Sequence, residues 1–136
     1  MATLKLEIVT PEGVTTSEEV DMVTLPGVEG ELGIYPQHVP LVTMLVPGEI
    51  TVRRGAQEYF LAVGPGFVEI TGKRVAVLTD MALRADDLDE AQAEQARRAA
   101  EARLKERYGE SDALTMNAAI MRSIQALRGR RQSRGK

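Results

Sequence analysis

Glu58-Tyr59-Phe60-Leu61-Ala62-Val63-Gly64-Pro65-Gly66-Phe67-Val68-Glu69-Ile70-Thr71-Gly72-Lys73-Arg74-Val75-Ala76-Val77-Leu78-Thr79 holds three short apolar runs parted by two turn signals, Gly64-Pro65-Gly66 and Thr71-Gly72-Lys73. Such runs, rich in Val, Ile and Phe and bounded by Gly and Pro, predict strands over 58–63, 67–70 and 75–79. The rhythm continues upstream. Leu4, Leu6 and Ile8 alternate with Lys5, Glu7 and Val9, and 20–25, 41–45 and 50–53 read as further strands, set off by Pro11-Glu12-Gly13, Pro47-Gly48 and Arg54-Gly55. Turn signals every 8 to 12 residues predict a compact β-sandwich or barrel. Its expected core is Leu6, Ile8, Val20, Met22, Ile34, Leu41, Ile50, Val52, Leu61, Val63, Phe67, Ile70, Val75 and Val77.

Composition changes near residue 85. All six prolines precede it, and glycine follows it only at 109, 129 and 135. Residues 1–85 carry 6 basic and 11 acidic side chains, residues 86–136 carry 11 and 9. The second part is predicted to be a helical hairpin. Asp86-Asp87-Leu88-Asp89-Glu90 caps a helix of about 22 residues, roughly 33 Å long, that stops at Gly109. After a turn of three or four residues, Ser111-Asp112 caps a second helix with the stripe Met116, Ile120, Ile124 and Leu127, up to Gly129. The class is α+β, mainly β, with domains over 1–85 and 86–136 and the last six residues without fixed order.

The first helix is apolar mainly through Ala91, Ala93, Ala96, Ala99, Ala100 and Ala102. Alanine buries little area, which predicts a hairpin that docks weakly and has more than one resting place. The same alanines also suit plain close packing of two helices.

Several function classes drop out. With no cysteine and one histidine, thiol nucleophiles, disulfides and thiolate or multi-histidine metal sites are excluded. A net charge of −3 with 2 Phe, 3 Tyr and no Trp gives neither a basic chain nor a stacking platform for nucleic acid. No apolar run reaches the roughly 20 residues a membrane span needs. The start shows no secretory or transit pattern, so the chain is expected to be soluble and to work where it is made.

The segment Pro26 to Val42 concentrates Gly27, Gly30 and Gly33, an acid at Glu31, the single His38, and Pro36 and Pro40. It reads as a stiff, shaped loop suited to contact. Three readings follow from the residues: a subunit that grips a partner, an independent sandwich adaptor binding through 26–42, and an enzyme using Glu31 and His38 as an acid–base couple.

Gly30-Glu31-Leu32-Gly33-Ile34-Tyr35-Pro36-x-His38-x-Pro40-Leu41, then Pro47-Gly48 and Ile50, Asp80, and Leu88-Asp89-Glu90-Ala91, resembles the ε subunit of the bacterial F-type ATP synthase, called δ in mitochondria. The resemblance spans essentially the whole chain. It implies a ten-stranded β-sandwich at the foot of the central stalk, with a C-terminal hairpin that folds down on it or extends into the catalytic head and blocks ATP hydrolysis. The implied partners are the γ subunit and the c-ring, and the α and β subunits when the hairpin extends. The implied place is peripheral, on the cytoplasmic face of a bacterial plasma membrane, or on an organellar membrane.

Carried over by position, Gly30, Glu31, Leu32 and Gly33 meet the c-ring, and His38, Val39, Pro40 and Thr43 meet γ. Arg122 and Arg128 meet the head in the extended state. Some members bind regulatory ATP through apolar-Asp-x-x-Arg-Ala-x-x-Ala-x-x-Arg, for which Leu88, Asp89, Ala93 and Arg122 are the candidates. Here Gln92 and Ala99 stand where the two arginines belong, so weak or absent ATP binding is expected and no other cofactor.

Overall fold

The computed structural model describes residues 2–134, with the side chains of Asp87 and of 131–134 outside that description. Ten strands come first: β1 (Leu4–Thr10), β2 (Gly13–Val20), β3 (Met22–Gly27), β4 (Gly30–Ile34), β5 (Leu41–Leu45), β6 (Gly48–Arg54), β7 (Gln57–Val63), β8 (Gly66–Ile70), β9 (Arg74–Thr79) and β10 (Ala82–Arg84). A 3-10 turn, Ala85–Asp87, leads to α1 (Glu90–Tyr108) and α2 (Glu110–Arg134).

The strands pair in the order β10-β7-β6-β3-β5-β8-β9-β1-β2, with β4 added on β3. Between β3 and β5 only Gly27 and Leu45 pair, so the sheet folds there into two five-stranded halves. Their inner faces alternate as a pleat requires. Leu4, Leu6 and Ile8 on β1, Ile50 and Val52 on β6, and Leu61 and Val63 on β7 meet Val68, Ile70, Val75 and Val77 in one buried aliphatic cluster that includes Tyr59. Each fully buried Leu, Ile or Val contributes about 1.5–3 kcal/mol of transfer free energy.

Three expected core positions lie elsewhere. Strand parity turns Phe67 outward because Val68 and Ile70 point in, and leaves Met22 half-buried because Val23 and Leu25 do. Leu41 has the parity of buried Leu45 but is the first residue of its strand and stays exposed. The ten strands implied by the resemblance are all present, three of them at places the residue pattern did not mark. β2 is an edge strand of Thr, Ser and Glu, burying only Thr16 and Val20. β10 has three residues. β4 occupies five residues of the segment read as a loop, closing on β3 from Gly27↔Gly30 to Val23↔Ile34. Glycine is required at 27, where a Cβ would come within 2.7 Å of the Gly30 carbonyl oxygen, and at 66, where it would overlap the Leu78 carbonyl.

Asp89 caps α1, its Oδ1 accepting from the Ala91 and Gln92 N–H groups at 2.9 and 3.4 Å. The helix therefore starts at Glu90 and runs 19 residues, shorter than expected, because 85–87 form the 3-10 turn. Gly109, at φ 88°, is the whole connection to α2. The positive φ reverses the chain in one residue, so Glu110 opens α2 and no longer turn capped by Ser111-Asp112 forms. Gly129 does not stop α2, whose backbone stays helical to Arg134; the rest of the tail expected to lack order, 135–136, lies outside the described residues.

It is α2 that lies along β6 and β7, and α1 rests on α2. Ile120, Ile124 and Leu127 form a second buried cluster with Ala62, Met81, Ala85 and Leu88, and Ala93, Ala100 and Leu104 of α1 join it. The alanine face of α1 thus serves close helix–helix packing, and the sandwich is met by branched aliphatics of α2, a firmer seat than the alanines alone would give.

Candidate functional site

Since β3 leads into β4 through Val28-Glu29, residues 26–34 are a projecting hairpin with Gly30, Glu31 and Gly33 exposed and Leu32 half-buried. Glu31 stands opposite Pro26, and its carboxylate makes no hydrogen bond or ion pair among the described residues. It borders an open cleft that also holds Pro47, Glu49, Ala119 and Arg122. Residues assigned by position to two different partners, Glu31 and Arg122, therefore line one cleft.

Residues 35–40 follow as an irregular loop. Gln37 takes φ 68°, fixed by its N–H donating to the Gly72 carbonyl at 2.6 Å. His38 Nδ1 lies 2.6 Å from the Val39 carbonyl oxygen, so its ring is engaged locally and Glu31 is not its partner. Val39 is 75% exposed, and Pro40 is exposed beside it. Thr43 points the other way, half-buried and paired with buried Val68, while its neighbours Val42 and Met44 face out.

Met44 belongs to a feature the sequence reading missed. Met44, Phe67, Leu78, Val9 and Val14 are successive cross-strand partners on β5, β8, β9, β1 and β2. They form one apolar row on the outer face, with Phe67 52% and Leu78 53% exposed. Where the row passes Val9, Pro11 and Pro65 it runs into a hollow closed by Arg107 and Tyr108 of α1. The signal was available: β9 reads Val75-Ala76-Val77-Leu78 without a polar break, the pattern of a strand covered on both faces. The opposite outer face has its cover, since Phe60, Ala62 and Leu83 pack against the helices.

A second cleft lies between the helices, lined by Ala93, Glu94, Arg97, Met121, Arg122, Ile124, Gln125 and Arg128. Of the four ATP candidates it gathers Ala93 and Arg122. Leu88 is buried in the second cluster and Asp89 is the helix cap. Most of the cleft's cationic donors are occupied. Arg97 reaches Glu94 at 2.6 Å, Glu101 at 3.0 Å and Asn117 at 3.1 Å, and Arg128 grips Glu90 with two bonds of 2.9 and 2.6 Å. Hydrogen bonds from Arg97 and Arg98 pull the Glu94 carboxyl down to about 2, and Glu90 pushes the Arg128 guanidinium up. Arg122 is exposed and without such a partner among the described residues, whereas the Arg128 guanidinium is engaged by Glu90 in this arrangement. Among the described residues no group of three or more His, Asp or Glu is placed to hold a metal ion, and no helix is long and apolar enough to cross a membrane.

The family model described as the ATP synthase, Delta/Epsilon chain, beta-sandwich domain matches residues 3–85, all ten strands. The chain belongs to the ATP synthase delta/epsilon family. Relatives extend the likeness into the hairpin. An ATP synthase epsilon chain of Desulforamulus reducens is 43% identical over 93% of this chain and 96% of its own length. One from Dehalococcoides mccartyi is 49% identical over 79% of this chain and 77% of its own. In fold, the chain is similar to one in the Euglena gracilis mitochondrial ATP synthase OSCP/F1/c-ring structure, at a TM-score of 0.67 and 22% identity, covering 93% of this chain and 81% of that one. An epsilon chain is a noncatalytic subunit, which removes the acid–base reading of Glu31 and His38.

Proposed function

We propose that this chain is a rotor subunit in the central stalk of an F-type ATP synthase, at the cytoplasmic face of a bacterial membrane. It holds γ with the outer face of β5-β8-β9-β1 and the 38–40 loop, and holds the c-ring loops with the Gly30–Gly33 tip. Through both it couples ion flow in the ring to ATP synthesis, and its hairpin, once extended, sets Arg122 and Arg128 against acidic segments of the α and β subunits and brakes hydrolysis. It needs no cofactor.

One observation carries the reading: the sandwich has two apolar outer faces, and its own helices cover only one. An apolar row across five strands, with exposed Val42 beside Met44 on β5, suits a permanent protein partner. Torque needs a shape-matched grip at such a face, with no reactive group. The unpartnered Glu31 at a rigid tip suits contact with polar loops in the same way.

The test is ATP hydrolysis by a reconstituted α, β and γ head with the full chain, with a chain ending after Ala85, and with none. Binding of both with suppression only by the full chain is the expected result. Binding of both without suppression removes the brake and leaves the grip. Failure of either form to bind γ overturns the proposal.

A further inference from the structure

The hairpin is fastened to the sandwich by arginines at two separate places. At the end of α1, Arg103 donates from Nη1 to the Asp80 carbonyl oxygen at 3.0 Å and from Nη2 to Glu12 Oε1 at 2.7 Å, and Arg107 Nη1 reaches Asp80 Oδ2 at 3.3 Å. Toward the end of α2, Arg130 forks onto Glu49 at 2.9 and 3.0 Å, with its guanidinium 3.9 Å over the Phe60 ring. All three arginines belong to the hairpin and all three acids to the sandwich. The Arg128–Glu90 pair closes the hairpin on itself and plays no part in the seating.

Both fastenings are of a kind that fixes position more than depth. The Asp80 side chain is only 3% exposed. It gives up hydration in the seated state, which offsets much of what Arg107 returns, and it is rehydrated when α1 leaves. The pairs with Glu12 and Glu49 stand partly in water and are screened there. A bidentate fork still dictates one orientation.

The geometry points to a two-point charge latch, in which Arg103 and Arg107 on Glu12 and Asp80, together with Arg130 on Glu49 and Phe60, set the balance between a seated and a released hairpin. It deepens the function proposed above, since release matters to hydrolysis only if the hairpin is a brake. Breaking either fastening raises the released fraction and leaves the sandwich intact.

Hydrogen exchange on the full chain, with sandwich amides as internal reference, tests this. Glu49→Gln, Glu49→Arg, Arg130→Glu and Arg107→Gln are each expected to speed exchange in α1 and α2 about fivefold at unchanged exchange in β1, β6 and β9. The Glu49→Arg, Arg130→Glu swap restores protection, and about 0.5 M salt shrinks the gap between wild type and variants. Hairpin exchange unmoved by the single changes, no recovery in the swap, or sandwich exchange rising in step overturns the latch. The same variants on the reconstituted head separate the two proposals. Faster exchange with unaltered hydrolysis upholds the latch and sinks the brake, while altered hydrolysis with unmoved exchange does the reverse.

Discussion

Met44 on β5 stands directly opposite Phe67 on β8, both side chains on the outer face of the sandwich and both about half exposed. The pair forms the β5 end of the uncovered row, on the face opposite the inner core. Phe67→Ser is therefore expected to leave the isolated chain within about 0.5 kcal/mol of wild type. If γ docks here, loss of the row's one aromatic side chain weakens that complex by roughly 30-fold or more. Thermal unfolding of the chain alone, beside a titration against γ, reads both numbers. Full affinity in the variant would place the γ contact elsewhere.

The inner side of the same strands behaves differently. At Gly66 a single methyl has no room, because it would overlap the Leu78 carbonyl on β9. Gly66→Ala is expected to cost about 1–3 kcal/mol through forced separation of β8 and β9. Denaturant unfolding measures it, and a variant as stable as wild type would mean that the two strands approach less closely than described.

Acid should loosen the helices' charge contacts before it touches the aliphatic core. Hydrogen bonds from Arg97 and Arg98 hold Glu94 at about 2, and one from Arg103 holds Glu12 below its ordinary 4.5. A carboxyl whose folded value is depressed contributes stability that is complete above its unfolded value and is lost as pH falls toward the folded one. Hairpin protection is thus expected to be flat from pH 8 to 6 and to fall from about 4.5 toward 2. Loss of protection on raising the pH from 6 to 8 would contradict this assignment.

ATP should find little purchase between the helices. Arg97 and Arg128 line the cleft but already satisfy Glu94, Glu101 and Glu90. Leu88 and Asp89 hold the helix start in place. Calorimetric titration is expected to show no saturable heat below roughly 1 mM ATP, an affinity of about −4 kcal/mol. A micromolar isotherm would show that the carboxylates yield to phosphate.

How far the fold could be read from the residues depended on how strongly each element was patterned. Strands such as β1 and β7, read from 4–9 and 58–63, declared themselves because one face is buried and the apolar runs are long. β2 did not, because an edge strand needs few apolar side chains and its threonines and glutamates resemble a loop. β4 was hidden by the glycines at 30 and 33, which a projecting hairpin tolerates and a propensity argument counts as breaks. The errors at Met22 and Phe67 are of one kind: two adjacent apolar residues leave parity open, and only the register of the partner strand decides it. The tip at Glu31 could be singled out from sequence because turn chemistry is local. The row through Met44, Phe67, Leu78 and Val9 could not, because it joins residues from four strands that only the sheet order brings side by side.

Gly109 is the whole joint between α1 and α2, with no loop beside it to lengthen. Nineteen residues lie on one side and twenty-five on the other. If Gly109 relaxed from φ 88° and ψ 167° to helical values, the two would fuse with it into one rod of about 68 Å. How far the tip of this chain can reach is then governed by the backbone of one residue, and a side chain at 109, which strains the positive φ of the turn, would favour the long form over the folded one.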